Sequence, residues 1–359
     1  MIECINLGKS YGTVQAVSDI SLSLDEYEFL SILGPSGCGK STLLRLIAGL
    51  EVPSQGQIFL HGREISGRKI ILPPERRKFG MIFQDFSLFP HLSVKDNVEY
   101  GTSGSKTEKQ QRVNELLELV SLPHLATKMP HQISGGEQQR IAVARTLAPR
   151  PRLILMDEPF SNLDYQLRQQ LRRDIREILK HEGVATVLVT HDQVEAITFS
   201  DRMLLMHKGE VVQEGTPSEV YQNPQTIWAS SFVGEANHLP VEWQNESLQT
   251  PLGELNVPSE IGMNARIMMV RPEDFRLQSV PADHANGIVK SVDFSGSVQT
   301  LGVALKSGAS VQVSGSPHLL WNQNDSVKIT ADRYLCFNSS GNRLNEISEY
   351  KASRTEKLS

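Results

Sequence analysis

A glycine-rich octapeptide constrains this chain more than any other stretch: Gly34 to Ser41 reads GPSGCGKS, and Thr42 follows. An apolar run, Phe29 to Leu33, leads into it, and Thr42 to Ala48 continues at helical spacing until Gly49. Strand, glycine loop and helix together match G-x-x-x-x-G-K-[ST], a phosphate-binding loop. Glycines at 34, 37 and 39 let backbone N–H groups turn inward without Cβ clashes. The helix that opens there adds unsatisfied N–H donors and a positive dipole end. Lys40 is expected to reach the β/γ-phosphates of a nucleotide, and the Ser41 hydroxyl to hold Mg²⁺. The whole stretch, Gly34, Pro35, Ser36, Gly37, Cys38, Gly39, Lys40, Ser41 and Thr42, is accordingly assigned to nucleotide binding.

The rest of the composition narrows the setting. With 359 residues there is room for two domains and a small third. A net charge of −5 offers no basic field, so no nucleic-acid partner is expected. No apolar run approaches the length that spans a bilayer, and MIECINLGKSYG lacks the basic and apolar regions of a signal peptide. Three widely spaced cysteines, Cys4, Cys38 and Cys336, suit a reducing compartment rather than a disulfide framework.

Along the chain, Ile2 to Leu24 reads as strands joined by a turn at Lys9–Gly12, and Gln57–Leu60 and Phe79–Phe83 as further strands. Arg112–Leu122 and a segment from Ser134 to before Pro149 carry helical spacing. Leu153–Met156 and Val184–Val189 are continuous apolar runs, as in strands buried on both faces of a parallel sheet. Between them lies an amphipathic helix with Asp164 as N-cap and Gly183 as its stop. Alternating strands and helices imply an α/β fold with a parallel, helix-flanked sheet. From about Leu239 the pattern changes to short strands with turn signals, a small all-β barrel- or sandwich-like domain, and from Lys351 to a polar tail.

Phosphoryl transfer to water needs a metal-orienting carboxylate and a group that activates the water. Asp157 ends the buried run LILM, where it can reach Mg²⁺ near Ser41, and Glu158, next in sequence, can polarise a water. The stretch ISGGEQQR, Ile133 to Arg140, places Ser134, Gly135 and Gly136 at a helix start. Taken alone it reads equally as an anion site and as a serine cap with a glycine turn. Cys38 sits beside Lys40 and a helix N-terminus, a setting that lowers a thiol pKa, though a small residue filling the loop is the plainer reading. On the first reading, thiol reagents inactivate the protein and MgATP protects it.

Together GPSGCGKS, Gln84, ISGGEQQR, LILMDEP, SNLD and His191, in that order, resemble the ATP-binding subunits of ABC transporters over roughly the first 235 residues. The resemblance implies a P-loop NTPase core with antiparallel β and helical subdomains, pairing head to tail with a second copy around two ATP molecules. It implies that Tyr11 stacks on adenine, that Gln84 touches Mg²⁺ and the attacking water, and that Ser134 and Gly136 hold the γ-phosphate across the interface. It implies further that Asp157 binds Mg²⁺, Glu158 is the base, Asp164 is an interface residue linking the two sites, and His191 contacts the γ-phosphate and positions Glu158. Two positions depart from the pattern: Glu137 stands where the family has Gln, and Asn162 where it has Ala.

The stretch Phe86 to Val94 is similar to the helical-subdomain entry of importer ATPases, where Phe89, Pro90 and Leu92 would line a groove for a helix of a membrane subunit. Phe232–Asn237 and Val270–Asp274 resemble the junction and OB-like regulatory domain of importer ATPases for sugar, polyamine, sulfate, molybdate and ferric iron. The run GEANHLP, ending at Pro240, looks most like the ferric-iron group, with polyamine, phosphonate and thiamine systems also open. The expected organisation is an ATPase domain over 1–235 with a helical subdomain at about 85–150, a regulatory β domain over 236–350 and a tail over 351–359. Expected partners are a second copy, two integral membrane permease subunits and, indirectly, a solute-binding protein, at the cytoplasmic face of the inner membrane. A soluble non-transport ABC ATPase and a non-hydrolysing regulatory subunit are the rival readings; the presence of Glu158 and His191 argues against the second.

Overall fold

The structure, a computed structural model, describes residues 1–67, 69–85, 87–161 and 164–344. Phe86, Asn162 and the tail 351–359 lie outside the described residues. The chain forms two compact units that divide between Ser218 and Glu219.

The first unit is built on a six-stranded sheet. Its order is Glu210–Gly215, Arg202–His207, Phe29–Leu33, Ala185–Thr190, Leu153–Asp157, Phe79–Ile82, parallel except for the first pair. The continuous apolar runs become the central strands: Phe29–Leu33 and Ala185–Thr190 are buried at every position. Side chains alternate between faces, so each strand feeds two cores. Leu30, Ile32, Leu155 and Val187 join the helix Lys40–Ala48 and the antiparallel sheet in one core. Phe29, Ile154, Met156 and Leu188 join the helices Lys106–Leu119, Gly135–Leu147 and Tyr165–His181 in the other. Each buried Leu or Ile contributes about 1.5–3 kcal/mol, which holds the strand ends rigid beneath the site.

A separate antiparallel sheet runs in the order Val14–Leu24, Ile2–Tyr11, Gln55–Leu60, Arg63–Ser66. The first hairpin turns later than its sequence suggests. Register shifts between Cys4 and Ser10 carry the strand through Lys9 and Ser10, and Tyr11 pairs with Val14 across the turn, where Gly12 takes φ 59°. The helix expected from Arg112 begins earlier, at Lys106, because Ser105 and Glu108 form a reciprocal capping box.

The second unit is mostly β. A five-stranded antiparallel sheet runs Phe275–Ser279, Ser326–Ala331, Gly287–Phe294, Gln299–Leu305, Ser310–Gly315, with two three-stranded sheets beside it in sequence. It also includes residues 219–235, placed in the ATPase domain by sequence. Arg271 accounts for this. It is 3% exposed, donates to the carbonyls of Tyr221, Ser230 and Glu235 at 2.8 Å each, and lies 4.2 Å from the Tyr221 ring centroid. That buried guanidinium ties the segment to the strand Ile267–Val270 that precedes it.

Candidate active site

Sheet register collects the candidate residues at one edge. Leu33 pairs with Thr190, Asp157 with Val189 and Ile82 with Met156. Gly34, His191, Glu158 and Gln84 therefore all lie just beyond the C-terminal ends of parallel neighbours, where open α/β sheets bind ligands.

At the loop itself, two glycines are required by close approach. A Cβ on Gly34 would collide with the Met206 carbonyl oxygen and stand 2.7 Å from Cys38 Sγ. Gly39 has φ 105°, and a Cβ there would collide with the carbonyl oxygen of Ala16. That contact also seats the Tyr11-bearing hairpin against the loop; the Tyr11 ring is 45% exposed, with Lys9 Nζ 4.9 Å from its centroid. Lys40 is buried and donates through Nζ to the carbonyls of Gly34 and Pro35 at 2.8 and 2.9 Å. Ser41 Oγ donates to Asp157 Oδ1 at 2.8 Å. Burial pushes the Asp157 carboxyl up, against the opposing effect of Ser41. A hydroxyl and a partly buried carboxylate side by side fit a divalent cation.

Glu158 follows with φ 47°, a left-handed backbone that costs a non-glycine residue about 1–2 kcal/mol. Its N–H donates to Val189 O at 2.9 Å, and its Oε2 lies 3.0 Å from His191 Nδ1. The histidine side chain is 51% exposed and the glutamate 21%, so the pair opens to solvent at the strand ends. Strain of this kind persists where the surroundings over-determine it, commonly at functional sites.

Ser134 caps the helix Gly135–Leu147 in a full capping box: its N–H and Oγ donate to Glu137 Oε2 at 2.7 and 2.8 Å, and the Glu137 N–H returns to Ser134 Oγ at 3.4 Å. The bond from the Ser134 backbone, first, and its hydroxyl hold the Glu137 carboxyl below its usual range. Gly136 is buried, and a Cβ there would stand 3.0 Å from the Leu167 methyls, so its smallness serves helix packing as well. Among the described residues, none of Ser134, Gly135 and Gly136 hydrogen-bonds to the loop 34–41. Asp164 is exposed and caps its helix through Leu167 N at 3.0 Å.

Of the two readings of Cys38, the structure favours the plainer one, a small residue filling the loop. Cys38 is 6% exposed, and burial pushes its thiol up in spite of Lys40. The loop folds the side chain inward against Gly34, and the cost of burial outweighs Lys40 and the backbone N–H groups of Lys40 and Cys38, which favour the thiolate.

Two contributors escaped the sequence reading. Asn97, wholly buried, accepts from Phe89 N at 2.8 Å and donates to the carbonyls of Phe89, Leu92 and Ser93, fixing the turn that presents Phe89, Pro90 and Leu92. Arg77, 2% exposed, donates to the carbonyls of Leu46, Ile47 and Leu72 and so caps the C-terminal end of the loop's helix; burial lowers its pKa to about 10. Neither stands in a motif, and only their partners, distant in sequence, reveal them.

The ABC transporter family model matches residues 17–161, and the TOBE domain model residues 268–337. The Fe(3+) ions import ATP-binding protein FbpC of Pseudomonas fluorescens is 43% identical over 301 residues, covering 83% of this chain and 85% of that protein. The chain belongs to the ABC transporter ATP-binding proteins. The Putrescine transport ATP-binding protein PotG of Escherichia coli is 40% identical over 325 residues, covering 86% of this chain and 85% of that protein. A solved dimeric ATP-binding cassette in a post-hydrolysis state, bound to ADP and Pi, is 33% identical with a TM-score of 0.53 and covers 60% of this chain and 99% of that one. This ABC ATPase thus pairs a P-loop nucleotide-binding fold with a TOBE, OB-like β domain. No helix among the described residues is long and apolar enough to cross a membrane.

Proposed function

We propose that this chain is the ATP-hydrolysing subunit of an ABC importer whose cargo is ferric iron. The observation that carries the hydrolytic reading is the Glu158–His191 pair, 3.0 Å apart, at the strand ends beside the Ser41–Asp157 pair. Lys40 and the loop amides hold the phosphates, and the Tyr11 ring offers a face for the adenine. Ser41, Asp157 and Gln84 would hold Mg²⁺, which supplies charge neutralisation to the phosphate oxygens when bound. Glu158 takes a proton from the attacking water, and His191 fixes the carboxylate and faces the γ-phosphate.

Ser134 and Gly136, which among the described residues make no hydrogen bond to the loop 34–41 of their own chain, complete the site of a second copy. The dimeric relative in a post-hydrolysis state supports that arrangement. Phe89, Pro90 and Leu92 form the docking turn for a permease helix at the inner face of the membrane. FbpC relatives support the ferric cargo; PotG keeps a polyamine as the second reading.

Steady-state ATPase measurement of wild type against Glu158→Gln tests the mechanism. Wild type turns over, and the variant loses about 10²–10⁴-fold while still binding ATP and shifting to a dimer. Absent wild-type turnover, or a variant at the wild-type rate, overturns it. Reconstitution with the co-purifying membrane subunits then separates ferric iron from putrescine.

A further inference from the structure

The glutamate and the histidine stand on two different loops, and a side chain on neither loop joins them. We propose that Arg168, on the helix Tyr165–His181, is a positioning residue for ATP hydrolysis: its guanidinium ties the segment following Glu158 to the segment carrying His191. This rests on the roles given to those two residues above.

Arg168 Nη2 donates to Ser161 O at 3.2 Å, while its Nη1 donates to Asp192 Oδ2 at 3.4 Å. Each acceptor is rigidly connected to one member of the pair. On one side, Ser161 donates through both N and Oγ to Glu158 O, at 3.3 and 3.0 Å. On the other, Asp192 directly follows His191 and is held by the end of the strand before it and the first turn of the helix Gln193–Phe199 after it. Its N–H donates to Thr190 Oγ1 at 3.0 Å, Thr190 Oγ1 donates to Glu195 Oε2 at 2.6 Å, and the Glu195 N–H donates to Asp192 Oδ1 at 2.9 Å. The circuit closes through Glu158 Oε2 and His191 Nδ1 at 3.0 Å.

Three physical points favour a positioning role over a surface ion pair. First, the side chains of Arg168 and Asp192 are only 24% and 27% exposed, so solvent screens the pair less than it would an exposed one. Second, Arg172, one turn further along the same helix and 5% exposed, sets Nη1 4.0 Å from Asp192 Oδ1, a second cation on the same carboxylate. Third, Glu158 holds a left-handed backbone that needs outside restraint, and the path from Arg168 through Ser161 ends on its carbonyl. A planar fork can serve two acceptors lying in different directions, whereas an ammonium serves them as a point charge with no fixed geometry. Arg168 therefore sets the distance between Glu158 and His191 without touching phosphate.

The test compares full-length wild type, Arg168→Ala, Arg168→Lys, Asp192→Asn and the Arg168→Ala/Asp192→Asn double variant in ATPase assays, with Glu158→Gln as control. Asn at 192 keeps a capping oxygen for the Glu195 N–H and removes the charge that Arg168 meets. Arg168→Ala should lower kcat about 10- to 100-fold with KM for ATP within about threefold, since a misplaced catalytic group slows chemistry more than binding. Arg168→Lys should recover part of the loss. The double variant should be no slower than Arg168→Ala, the non-additivity expected of residues acting as one unit. A kcat for Arg168→Ala within about twofold of wild type overturns the proposal, as does a loss additive with that of Asp192→Asn. If Arg168→Ala fails to fold, Arg168→Lys and Asp192→Asn decide by the same split between kcat and KM. Glu158→Gln separates the two levels: inactive, it leaves the site reading standing whatever Arg168 does; fully active, it overturns both.

Discussion

Replacing Glu137 by Gln restores the residue usual in the family's signature, and the structure indicates what that exchange removes. The Glu137 carboxylate accepts the Ser134 N–H at 2.7 Å and the Ser134 hydroxyl at 2.8 Å, at the positive end of the helix Gly135–Leu147. An amide oxygen can still take one of these bonds, but the charge–dipole attraction, about 0.3–1 kcal/mol, is lost and the capping bonds weaken. The net loss expected is about 0.5–1 kcal/mol of local helix stability, which makes first-turn amides exchange about two- to fivefold faster. Hydrogen exchange read by mass spectrometry on peptides covering 133–147 measures this. The folded-state pKa of Glu137 lies below its ordinary 4.5. Its stabilisation is therefore present above that ordinary value and is lost as pH falls through the folded one. The gap between wild type and variant should be full at pH 7 and narrow below about 4.5. The same variant should change the KM for ATP by less than about tenfold, because Ser134 and Gly136 carry the phosphate contact. Equal exchange at pH 7, a gap unchanged by acid, or a tenfold gain in ATP use would refute the reasoning.

Two further outcomes follow from buried groups. Arg77→Ala strips a donor from the carbonyls of Leu46, Ile47 and Leu72 and should cost about 3 kcal/mol or more, read as a lowered urea midpoint, with Arg77→Lys recovering part; a change under about 1 kcal/mol contradicts the capping role. N-ethylmaleimide should modify Cys38 more slowly than free glutathione at pH 8, because its folded-state pKa is raised and the thiolate is scarce until higher pH; faster modification would restore the activated-thiol reading.

Much of the fold was legible because strands buried on both faces are mostly apolar, with only small polar residues such as Ser31 and Thr186 among them. Leu153–Met156 and the run ending at Val189 carry that pattern at strand length, and each falls in the central sheet. Boundaries were less legible. The hairpin at Gly12 slipped past its expected turn through register shifts that no single residue announces. Residues 219–235 joined the second unit because Arg271, some 36 to 50 positions away, collects their carbonyls.

For the site, local sequence determined the phosphate loop and the capping serine, since glycine placement and helix caps act within a few residues. Glu158 was named by its place after the buried strand and Asp157, and His191 by its order among motifs; neither says anything of the distance between them. Only the tertiary structure decided that they meet at 3.0 Å, that Cys38 turns inward, and that Arg168 bridges their loops. The reason is physical: short-range backbone preferences are written in neighbouring residues, whereas burial and long-range hydrogen bonding depend on which strands become neighbours.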